Sequence, residues 1–348
     1  MKAIVIRQYG DWRDVMRLED VDRPALAAND VLVEIHAVTA NRTRDTQAAS
    51  GQYGDASALP LVPGVDPAGI VVETGENVTG IAPGDRVVVI SRSSCGACAA
   101  CLSDNDADCR AGSTMGIHRW GGYAEFIVAP ADNIRAIPDN ISFHDAAVFM
   151  RHCPTALQLL DDKAGLKPGE TVLVMGAGGG LGSTGIQIAK LMGATVIAGA
   201  GGDDRVQLGR DLGADYGVNY RTQDLVEEIR KITDGKGVNV VFENISDPTT
   251  WPKAFECLAF AGRLVTAGAH GGGTVSLDAR RLYLRRLQVI GGAGASRRNV
   301  ETAPEFAKTG KLSCSIDRIM PLGALHEAFD LLGDGGVMGK IVIDPSLT

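Results

Sequence analysis

An alternation of short apolar strands and amphipathic helices, starting at about residue 152, restricts the possible folds most. Thr171–Met175 is predicted to be a buried strand, residues 181–192 a helix and residues 195–198 a strand again. The alternation continues to residues 288–290 and gives six predicted strands. Strands that alternate with helices form βαβ units on a parallel sheet. This part of the chain is therefore predicted to be an α/β, doubly wound parallel sheet.

A glycine-rich turn joins the first of these strands to its helix and reads Gly-Ala-Gly-Gly-Gly-Leu-Gly from position 176. Backbone without side chains can approach a pyrophosphate, and the start of a helix offers free N–H groups. Within a βαβ unit the turn predicts a dinucleotide site, with tight packing as the alternative. The candidate cofactor-binding residues of the turn are Ala177, Gly179, Gly180, Leu181 and Gly182.

The end of the second strand bears on the choice of cofactor. NAD sites usually place an acid there, whereas this strand runs into Gly201-Gly202 and then into Asp203, Asp204 and Arg205. A guanidinium without an acid at the strand end suits the 2′-phosphate of NADP. The two aspartates weaken this interpretation unless they only cap the next helix. The prediction is NADP, with NAD as the less favoured alternative.

Four cysteines lie close together as C-x2-C-x2-C-x7-C: Cys95, Cys98, Cys101 and Cys109. Four thiolates at this spacing are predicted to hold one zinc ion with a closed coordination shell, which gives the metal a structural role. Unrelated thiols or disulfides are the alternative. The other three cysteines show no pairing pattern, which suggests a reducing compartment and predicts a cytoplasmic protein.

The overall charge excludes two classes of partner. The 348 residues carry 34 Lys+Arg and 42 Asp+Glu, a formal net charge of −8. Nucleic acids and anionic membrane surfaces both require a basic face, so neither is expected as a partner. The first residues are predicted to form a strand and not a signal peptide, and no window reaches the length of a membrane span. A small-molecule substrate is expected.

The order of motifs resembles the medium-chain dehydrogenase/reductase superfamily. The resemblance rests on Pro83-Gly84-Asp85-Arg86-Val87, the cysteine lobe at about residues 92–112, Gly121-Gly122-Tyr123-Ala124-Glu125-Phe126, the glycine turn and the segment Gly339-Lys340-Ile341-Val342. It implies a GroES-like, β-rich catalytic domain over residues 1–151 and 293–348, and a Rossmann domain over residues 152–292. It also implies a homodimer or homotetramer.

The resemblance also identifies a departure from the zinc alcohol dehydrogenases of the family. The positions that match their three catalytic-zinc ligands are Asn41, Val65 and Arg151. An amide, an isopropyl group and a guanidinium cannot replace a thiolate, an imidazole and a carboxylate. Asp66 and Cys153 lie close enough in sequence to leave a displaced zinc site as an alternative.

The resemblance therefore favours the branch of quinone oxidoreductases, enoyl reductases and acryloyl-CoA-type reductases. Hydride addition to an activated double bond yields an enolate, which hydrogen bonds can stabilise without a Lewis acid. The alternatives are a zinc alcohol dehydrogenase with displaced ligands and an NADPH-binding protein without turnover.

Four residues are catalytic candidates. Asn41 is proposed as an amide donor to a substrate carbonyl, the alternative being a turn residue. Arg151 is proposed to stabilise an enolate or bind an acyl-CoA phosphate, with a salt bridge to Asp66 as the alternative. Tyr53 and His118 are candidate proton donors, although a lone loop histidine is more often structural.

Further cofactor contacts are implied by the resemblance. Thr155 matches a residue that touches the nicotinamide, while Tyr220 and Arg205 match positions near an adenosine 2′-phosphate. Gly268 matches a backbone contact to the carboxamide. Lys340 matches a basic residue near the pyrophosphate, and its alternative is an exposed lysine on an edge strand. A dimer through residues 288–290 as an edge strand is a further expectation.

Overall fold

The fold was obtained as a computed structural model, which describes residues 1–53, 59–103, 105–308, 310 and 312–347. The strands, in chain order, are β1 (Lys2–Ile6), β2 (Met16–Asp20), β3 (Asp30–Thr39), β4 (Ala68–Thr74), β5 (Arg86–Val89), β6 (Arg92–Ser93), β7 (Ser113–Thr114), β8 (Phe126–Pro130), β9 (Ile134–Ala136), β10 (Thr171–Met175), β11 (Thr195–Ala200), β12 (Tyr216–Asn219), β13 (Val238–Glu243), β14 (Leu258–Thr266), β15 (Gln288–Gly291), β16 (Ile316–Pro321) and β17 (Lys340–Asp344).

The helices are α1 (Trp12–Val15), α2 (Arg42–Ala49), α3 (Ala99–Leu102), α4 (Phe143–Leu157), α5 (Gly180–Leu191), α6 (Asp203–Asp211), α7 (Leu225–Ile232), α8 (Thr250–Glu256), α9 (Ala279–Leu284), α10 (Arg297–Lys308) and α11 (Leu325–Asp334). Helix α4 continues into a π-helical turn over Gln158–Lys163. Within the described part of the chain, no helix combines the length and the apolarity that crossing a membrane requires.

The chain separates into two compact units. Unit 1 comprises Met1–Arg151 together with Glu301–Thr348, and unit 2 comprises His152–Val300. Unit 1 is built on a seven-stranded sheet in the order β16-β17-β3-β4-β5-β9, with β8 paired to β3. Strand β17 pairs antiparallel with β3 through Val342 and Thr39, so a late segment of the chain completes a sheet made of early strands.

The core of unit 1 includes a cluster of buried apolar side chains in which Tyr123 and Phe329 are fully buried. Their rings meet edge to face at 6.5 Å between centroids, a geometry that aromatic pairs favour. This packing holds α11 against the residues that follow β7. The buried phenol of Tyr123 thereby reaches the start of α2, where the polar residues described below come together.

Unit 2 has the parallel sheet expected from the sequence. Its six strands lie in the order β12-β11-β10-β13-β14-β15, and every neighbouring pair is parallel. The order reverses direction at β10, which is the switch point of a doubly wound sheet. Strand β14 begins at Leu258, and its first segment extends the pairing with β13. Helix α6 begins at Asp203.

Candidate functional site

The cysteine lobe gathers four thiols around one point. The ligand atoms of Cys95, Cys98, Cys101 and Cys109 lie within 4.8 Å of one another. The sulfurs of Cys98 and Cys101 are 3.5 Å apart, and those of Cys95 and Cys101 are 3.9 Å apart. Tetrahedral coordination at zinc–sulfur bonds of about 2.3 Å requires sulfurs about 3.8 Å apart. The lobe therefore fits a zinc ion with four protein ligands.

Backbone N–H groups prepare the lobe for a metal. Those of Ala97 and Cys98 lower the pKa of Cys95 to about 6, which favours the thiolate that zinc binds. The N–H of Cys95 lies 3.4 Å from the sulfur of Cys109 and lowers the pKa of that thiol. Elsewhere in the described residues, no other group of three or more His, Cys, Asp or Glu side chains converges as a metal site would require.

The glycine turn of unit 2 leads from β10 into α5. Gly176 has a φ of +69°, a left-handed conformation that glycine adopts without strain. A Cβ on Gly182 would lie 2.1 Å from the carbonyl oxygen of Gly176, so only glycine fits at that position. Helix α5 begins at Gly180, and its N-cap Gly179 offers no side-chain cap. The first N–H groups of α5 thus remain available for a phosphate.

Two guanidinium groups lie near the carboxyl end of β11. A Cβ on Gly178 would lie 2.7 Å from the side chain of Arg205, so this arginine crosses the glycine turn. A Cβ on Gly201 would lie 3.0 Å from Nε of Arg221 and 3.2 Å from the hydroxyl of Tyr220. Burial raises the pKa of Tyr220, and the charges of Arg221 and Arg205 oppose this rise. These groups form a basic surface beside an aromatic ring.

The two aspartates after β11 are engaged within unit 2. Asp203 accepts a hydrogen bond of 2.7 Å from the side chain of Asn219, and Asp204 accepts one of 2.9 Å from the backbone N–H of Arg205. The N-cap of α6 is Gly202. The interpretation of both aspartates as helix caps is therefore wrong in detail: they lie in the first turn of α6, where their charge favours the helix dipole.

The other predicted cofactor residues of unit 2 lie at separate positions. Thr155 is partly exposed on α4. Gly268 follows β14, and a Cβ there would lie 2.1 Å from the carbonyl oxygen of Asn244. The carbonyl oxygen of Gly268 accepts a hydrogen bond of 2.6 Å from the hydroxyl of Ser246. This hydroxyl lies 3.3 Å from the buried carboxylate of Glu243, so the carboxyl ends of β13 and β14 are held together.

In unit 1, the last strand, β17, supplies a buried ammonium group. Lys340 is 8% exposed and donates hydrogen bonds to the carbonyl oxygen of Ala40 at 2.7 Å and to Oδ1 of Asn41 at 2.9 Å. Burial and the charge of Arg151 lower its pKa to about 7. The alternative of an exposed edge-strand lysine is wrong, because β17 is paired on both sides by β16 and β3.

The amide of Asn41 is fully engaged. Its Nδ2 donates to the carbonyl oxygen of Thr39 at 3.0 Å and to Oγ1 of Thr39 at 2.9 Å. Its Oδ1 accepts from Lys340. The amide hydrogens predicted for a substrate carbonyl are therefore directed at Thr39, and a role of Asn41 toward substrate stays a prediction.

A buried acid lies beside this asparagine. Asp45, in the first turn of α2, accepts hydrogen bonds from the hydroxyl of Tyr123 at 2.5 Å and from the backbone N–H of Asn41 at 3.1 Å. Burial raises its pKa to about 6, although both hydrogen bonds and the charge of Arg44 oppose the rise. Burial, with Asp45 next, also raises the pKa of Tyr123 well above its usual value. The phenol thus remains protonated and holds Asp45 in place.

The salt bridge weighed for Arg151 is present. Its Nη1 lies 3.5 Å from Oδ2 of Asp66, whose Oδ1 accepts a hydrogen bond of 2.9 Å from the backbone N–H of Ser91. The side chain of Asp66 is 6% exposed and that of Arg151 is 25% exposed. Val65 is buried. The three positions matched to zinc ligands thus carry an amide held by a lysine, an apolar side chain and a paired guanidinium.

Two further side chains belong to this group. Arg44 interacts electrostatically with Arg151, Asp66, Tyr53 and Asp45, and burial together with Arg151 lowers its pKa. The hydroxyl of Tyr53 donates to the side-chain oxygen of Gln47 at 3.2 Å, and burial raises its pKa. The five charged residues of this group are Arg44, Arg151, Lys340, Asp45 and Asp66. We call these five residues the cation cluster.

His118 is held within its own loop. Its Nδ1 accepts a hydrogen bond of 2.9 Å from the backbone N–H of Thr114, which leaves Nε2 as the protonated nitrogen of the neutral ring. The indole N–H of Trp120 donates to the carbonyl oxygen of Pro60 at 2.8 Å. A proton-donor role for His118 stays a prediction, and its ring has the loop contact typical of a structural histidine.

Sequence reasoning missed Arg44, Asp45, Tyr123 and Arg221. Arg44 and Asp45 lie four residues or fewer after Asn41, and a charged pair beside a suspected site was the available signal. Arg221 follows the predicted Tyr220 directly. Tyr123 lies inside a motif that was used only for the resemblance, and no local pattern indicated that its hydroxyl reaches α2.

Two family models match the chain: "Alcohol dehydrogenase GroES-like domain" over residues 27–139 and "Zinc-binding dehydrogenase" over residues 180–309. An alcohol dehydrogenase of Geobacillus stearothermophilus is 32% identical over 344 residues, which cover 99% of each chain. Quinone oxidoreductase-like protein 2 of Bos taurus is 29% identical over 94% of this chain and 88% of that protein. A solved NAD-dependent alcohol dehydrogenase superposes with a TM-score of 0.91 at 35% identity, covering 99% of both chains.

Proposed function

Because the chain belongs to the medium-chain dehydrogenase/reductase superfamily of NAD(P)-dependent oxidoreductases, we propose a reaction within that class: reduction of an activated carbon–carbon double bond or a quinone without a catalytic zinc. The carrying observation is the chemistry at the matched zinc positions. Asn41 binds Lys340, Val65 is apolar, and Arg151 pairs with Asp66. Protein cations occupy this region where a metal reaction requires anionic or neutral ligands.

The proposed reduction requires particular residues to stabilise negative charge and to supply a proton. When bound, the reduced nicotinamide supplies a hydride, which adds to the β-carbon of the substrate and leaves an enolate. Arg151 stabilises the negative oxygen electrostatically. Lys340 fixes the orientation of Asn41 through its hydrogen bond to Oδ1. One proton then returns to the α-carbon. Tyr53 is proposed as its donor, because a phenol is protonated at neutral pH and this one interacts electrostatically with Arg44 and Arg151.

NADPH is the proposed cofactor. Arg205 and Arg221 flank Tyr220 near the end of β11, while Asp203 and Asp204 are occupied by Asn219 and by the backbone of α6. Two guanidinium groups suit a phosphate dianion, and their rigid forks bind it with several hydrogen bonds. The turn from Ala177 to Gly182 is proposed to bind the pyrophosphate, with one structural zinc in the cysteine lobe.

A zinc alcohol dehydrogenase with displaced ligands is the second candidate, favoured by the names of the relatives and by Asp66 and Cys153 near the matched positions. Metal content separates the two candidates. The proposed reductase binds one zinc per chain, whereas a zinc alcohol dehydrogenase binds two. Tight NADPH binding without turnover would instead indicate a binding protein.

The deciding experiment follows NADPH and NADH oxidation by absorbance with enones, quinones, enoyl-CoA thioesters and simple carbonyls, alongside zinc analysis of the same preparation. We expect turnover on conjugated double bonds or quinones with one zinc per chain. Turnover confined to simple ketones or aldehydes, with two zinc ions per chain, would reject the proposal.

Arg205→Ala tests the cofactor assignment. Loss of one charge-assisted contact to a phosphate costs about 1.5–3 kcal/mol, so we expect a tenfold to hundredfold higher KM for NADPH and an unchanged KM for NADH. The control is Arg230→Ala, which removes an exposed arginine paired with Glu256. A parallel loss with both cofactors would assign Arg205 to the stability of the glycine turn.

Assembly is proposed to occur through the edge of the unit 2 sheet. Strand β15 is the last strand of that sheet, and Val289, Tyr283 and Leu284 are exposed at 39%, 67% and 55%. An edge strand with exposed apolar neighbours suits pairing with a second copy about a two-fold axis. A homodimer, or a homotetramer built from dimers, follows. The free thiols outside the lobe suit the reducing cytoplasm.

A further inference from the structure

The cation cluster has an excess of positive charge. Arg44, Arg151 and Lys340 face the two acids Asp45 and Asp66, so within the described part of the chain one cation lacks a compensating charge when every group is ionised. Lys340 and both acids are buried, and water therefore screens the excess poorly. Burying an unpaired charge is unfavourable, and natural sites usually provide a counterion.

Of the three cations, Arg44 is the one whose guanidinium makes no hydrogen bond within the described residues. Lys340 donates to two oxygen acceptors, and Arg151 pairs with Asp66. The Nε of Arg44 is buried without a partner, and neither a hydrogen bond nor an ion pair joins its side chain to another residue that the structure describes. Since buried polar groups are nearly always bonded, the unpartnered Nε leaves this guanidinium able to donate hydrogen bonds to a ligand.

We propose that Arg44, with Arg151 beside it, binds a carboxylate group carried by the substrate. This inference rests on the proposed function and narrows its substrate class to unsaturated compounds that bear a free carboxylate. The planar fork of a guanidinium matches the two oxygens of a carboxylate, and two adjacent arginines share one such group. A substrate of this kind brings one negative charge, which equals the excess in the cluster below about pH 7, where Lys340 is protonated.

The counterion has to be present in the ground state. An enolate oxygen is negative only during the reaction, so it would leave Arg44 uncompensated in the substrate complex. A carboxylate neutralises the cluster as soon as the substrate binds. The site is reachable, since Arg44 is partly exposed and the side chain of Arg151 is 25% exposed.

The test compares β-acetylacrylate with its methyl ester as acceptors for NADPH, in wild-type protein and in Arg44→Met. The two acceptors share the activated double bond and differ in the carboxylate. We expect wild type to prefer the acid at least tenfold in kcat/KM, and Arg44→Met to lose about tenfold to hundredfold more on the acid than on the ester. Arg44→Lys keeps the charge without the planar fork. Its kcat/KM on the acid is expected to lie between those of the wild type and of Arg44→Met. Arg230→Met is the matched control.

Binding without turnover separates this inference from the proposed function. Levulinate, the saturated acid, and its methyl ester are titrated calorimetrically into wild-type, Arg44→Lys and Arg44→Met protein in the presence of NADP. If neither unsaturated acceptor is reduced but levulinate binds through Arg44, the proposed function fails and the carboxylate site stands. Equal binding of acid and ester in wild type, or equal loss of both in the variants, would overturn the site. Phosphate binding as tight as levulinate binding would assign it to a phosphate and also overturn it.

Discussion

The cysteine lobe and the cation cluster both belong to unit 1, and their charge balances are opposite. The lobe concentrates four sulfur ligands within 4.8 Å, and backbone N–H groups favour the thiolate form of two of them. The cluster concentrates three cations against two buried acids. The lobe therefore requires a cation from outside the chain, whereas the cluster requires an anion.

This difference shows how one fold separates structure from chemistry. A closed shell of thiolates leaves no position for a substrate, so a metal bound there would stabilise the loop. In the cluster, the guanidinium of Arg44 has no hydrogen-bond partner among the described residues, so it is available to a ligand. Removing a thiolate from the lobe should lower the metal content. Removing a charged group from the cation cluster should change the dependence of activity on pH.

The largest effect is expected in the lobe. Cys109→Ser removes a buried ligand, and three remaining thiolates bind zinc far more weakly. We expect zinc to fall well below one per chain and the free energy of unfolding to drop by several kcal/mol. Elemental analysis and thermal unfolding measure both. Cys314→Ser, outside the lobe, is the control and should retain the metal. Full zinc content in Cys109→Ser would contradict a four-ligand site.

Lys340 gives the next largest effect. Because burial lowers its pKa to about 7, the ammonium loses its proton as the pH rises through that value. We expect kcat/KM of the wild type to fall above about pH 7. Lys340→Met should be about tenfold less active at pH 6 and should lack this fall, because Asn41 is no longer held. A profile in the variant with the same inflection would show that another group titrates.

The same shift has a consequence for stability. The pKa of Lys340 is lower in the folded chain than its usual 10.5, so the unfolded chain binds more protons between about pH 7 and pH 10.5. The free energy of unfolding of the wild type relative to Lys340→Met should therefore rise with pH across this window. Denaturant titrations at several pH values measure this difference, and Lys231→Met on the surface is the control.

The smallest effect concerns the one ion pair of the cluster. Asp66→Asn leaves an acceptor for the N–H of Ser91 but removes the charge beside Arg151. Asparagine also tolerates the φ of +54° at this position. We expect the free energy of unfolding to fall by about 1–2 kcal/mol, since Arg151 is partly exposed. Asp215→Asn, which breaks the more exposed pair with Lys190, should cost less than about 1 kcal/mol. Equal losses of stability in the two variants would mean that water screens the charges of the cluster as strongly as it screens charges on the surface.

Features that depend on short stretches of chain were predictable from the sequence. The cysteine spacing indicated the lobe because all four ligands lie within fifteen residues. The glycine turn and the six parallel strands followed from local periodicity, and the sheet of unit 2 confirms them. The basic surface at the end of β11 was predicted only in part. Arg221 was missed because it comes from the loop after β12.

The cation cluster could not be predicted in the same way. Asn41 and Lys340 are 299 residues apart, and no local pattern reports which backbone carbonyl a distant ammonium will reach. Helix α2 has mixed composition without an apolar stripe, so its start and its charged residues were missed. Lys340 was weighed as an exposed lysine because its strand was assumed to lie at an edge, and the pairing of β17 on both sides shows otherwise.

The separation of Asn41 from Lys340 also sets the time at which the site can exist during protein synthesis. The ribosome adds about 5–20 residues per second, so about 15–60 s pass between the two residues. Until β17 arrives, β3 lacks a neighbour and Asn41 lacks the ammonium that orients it. The nascent chain therefore completes its Rossmann sheet before its cation cluster, and any chemistry of that cluster begins only after residue 340 has been translated.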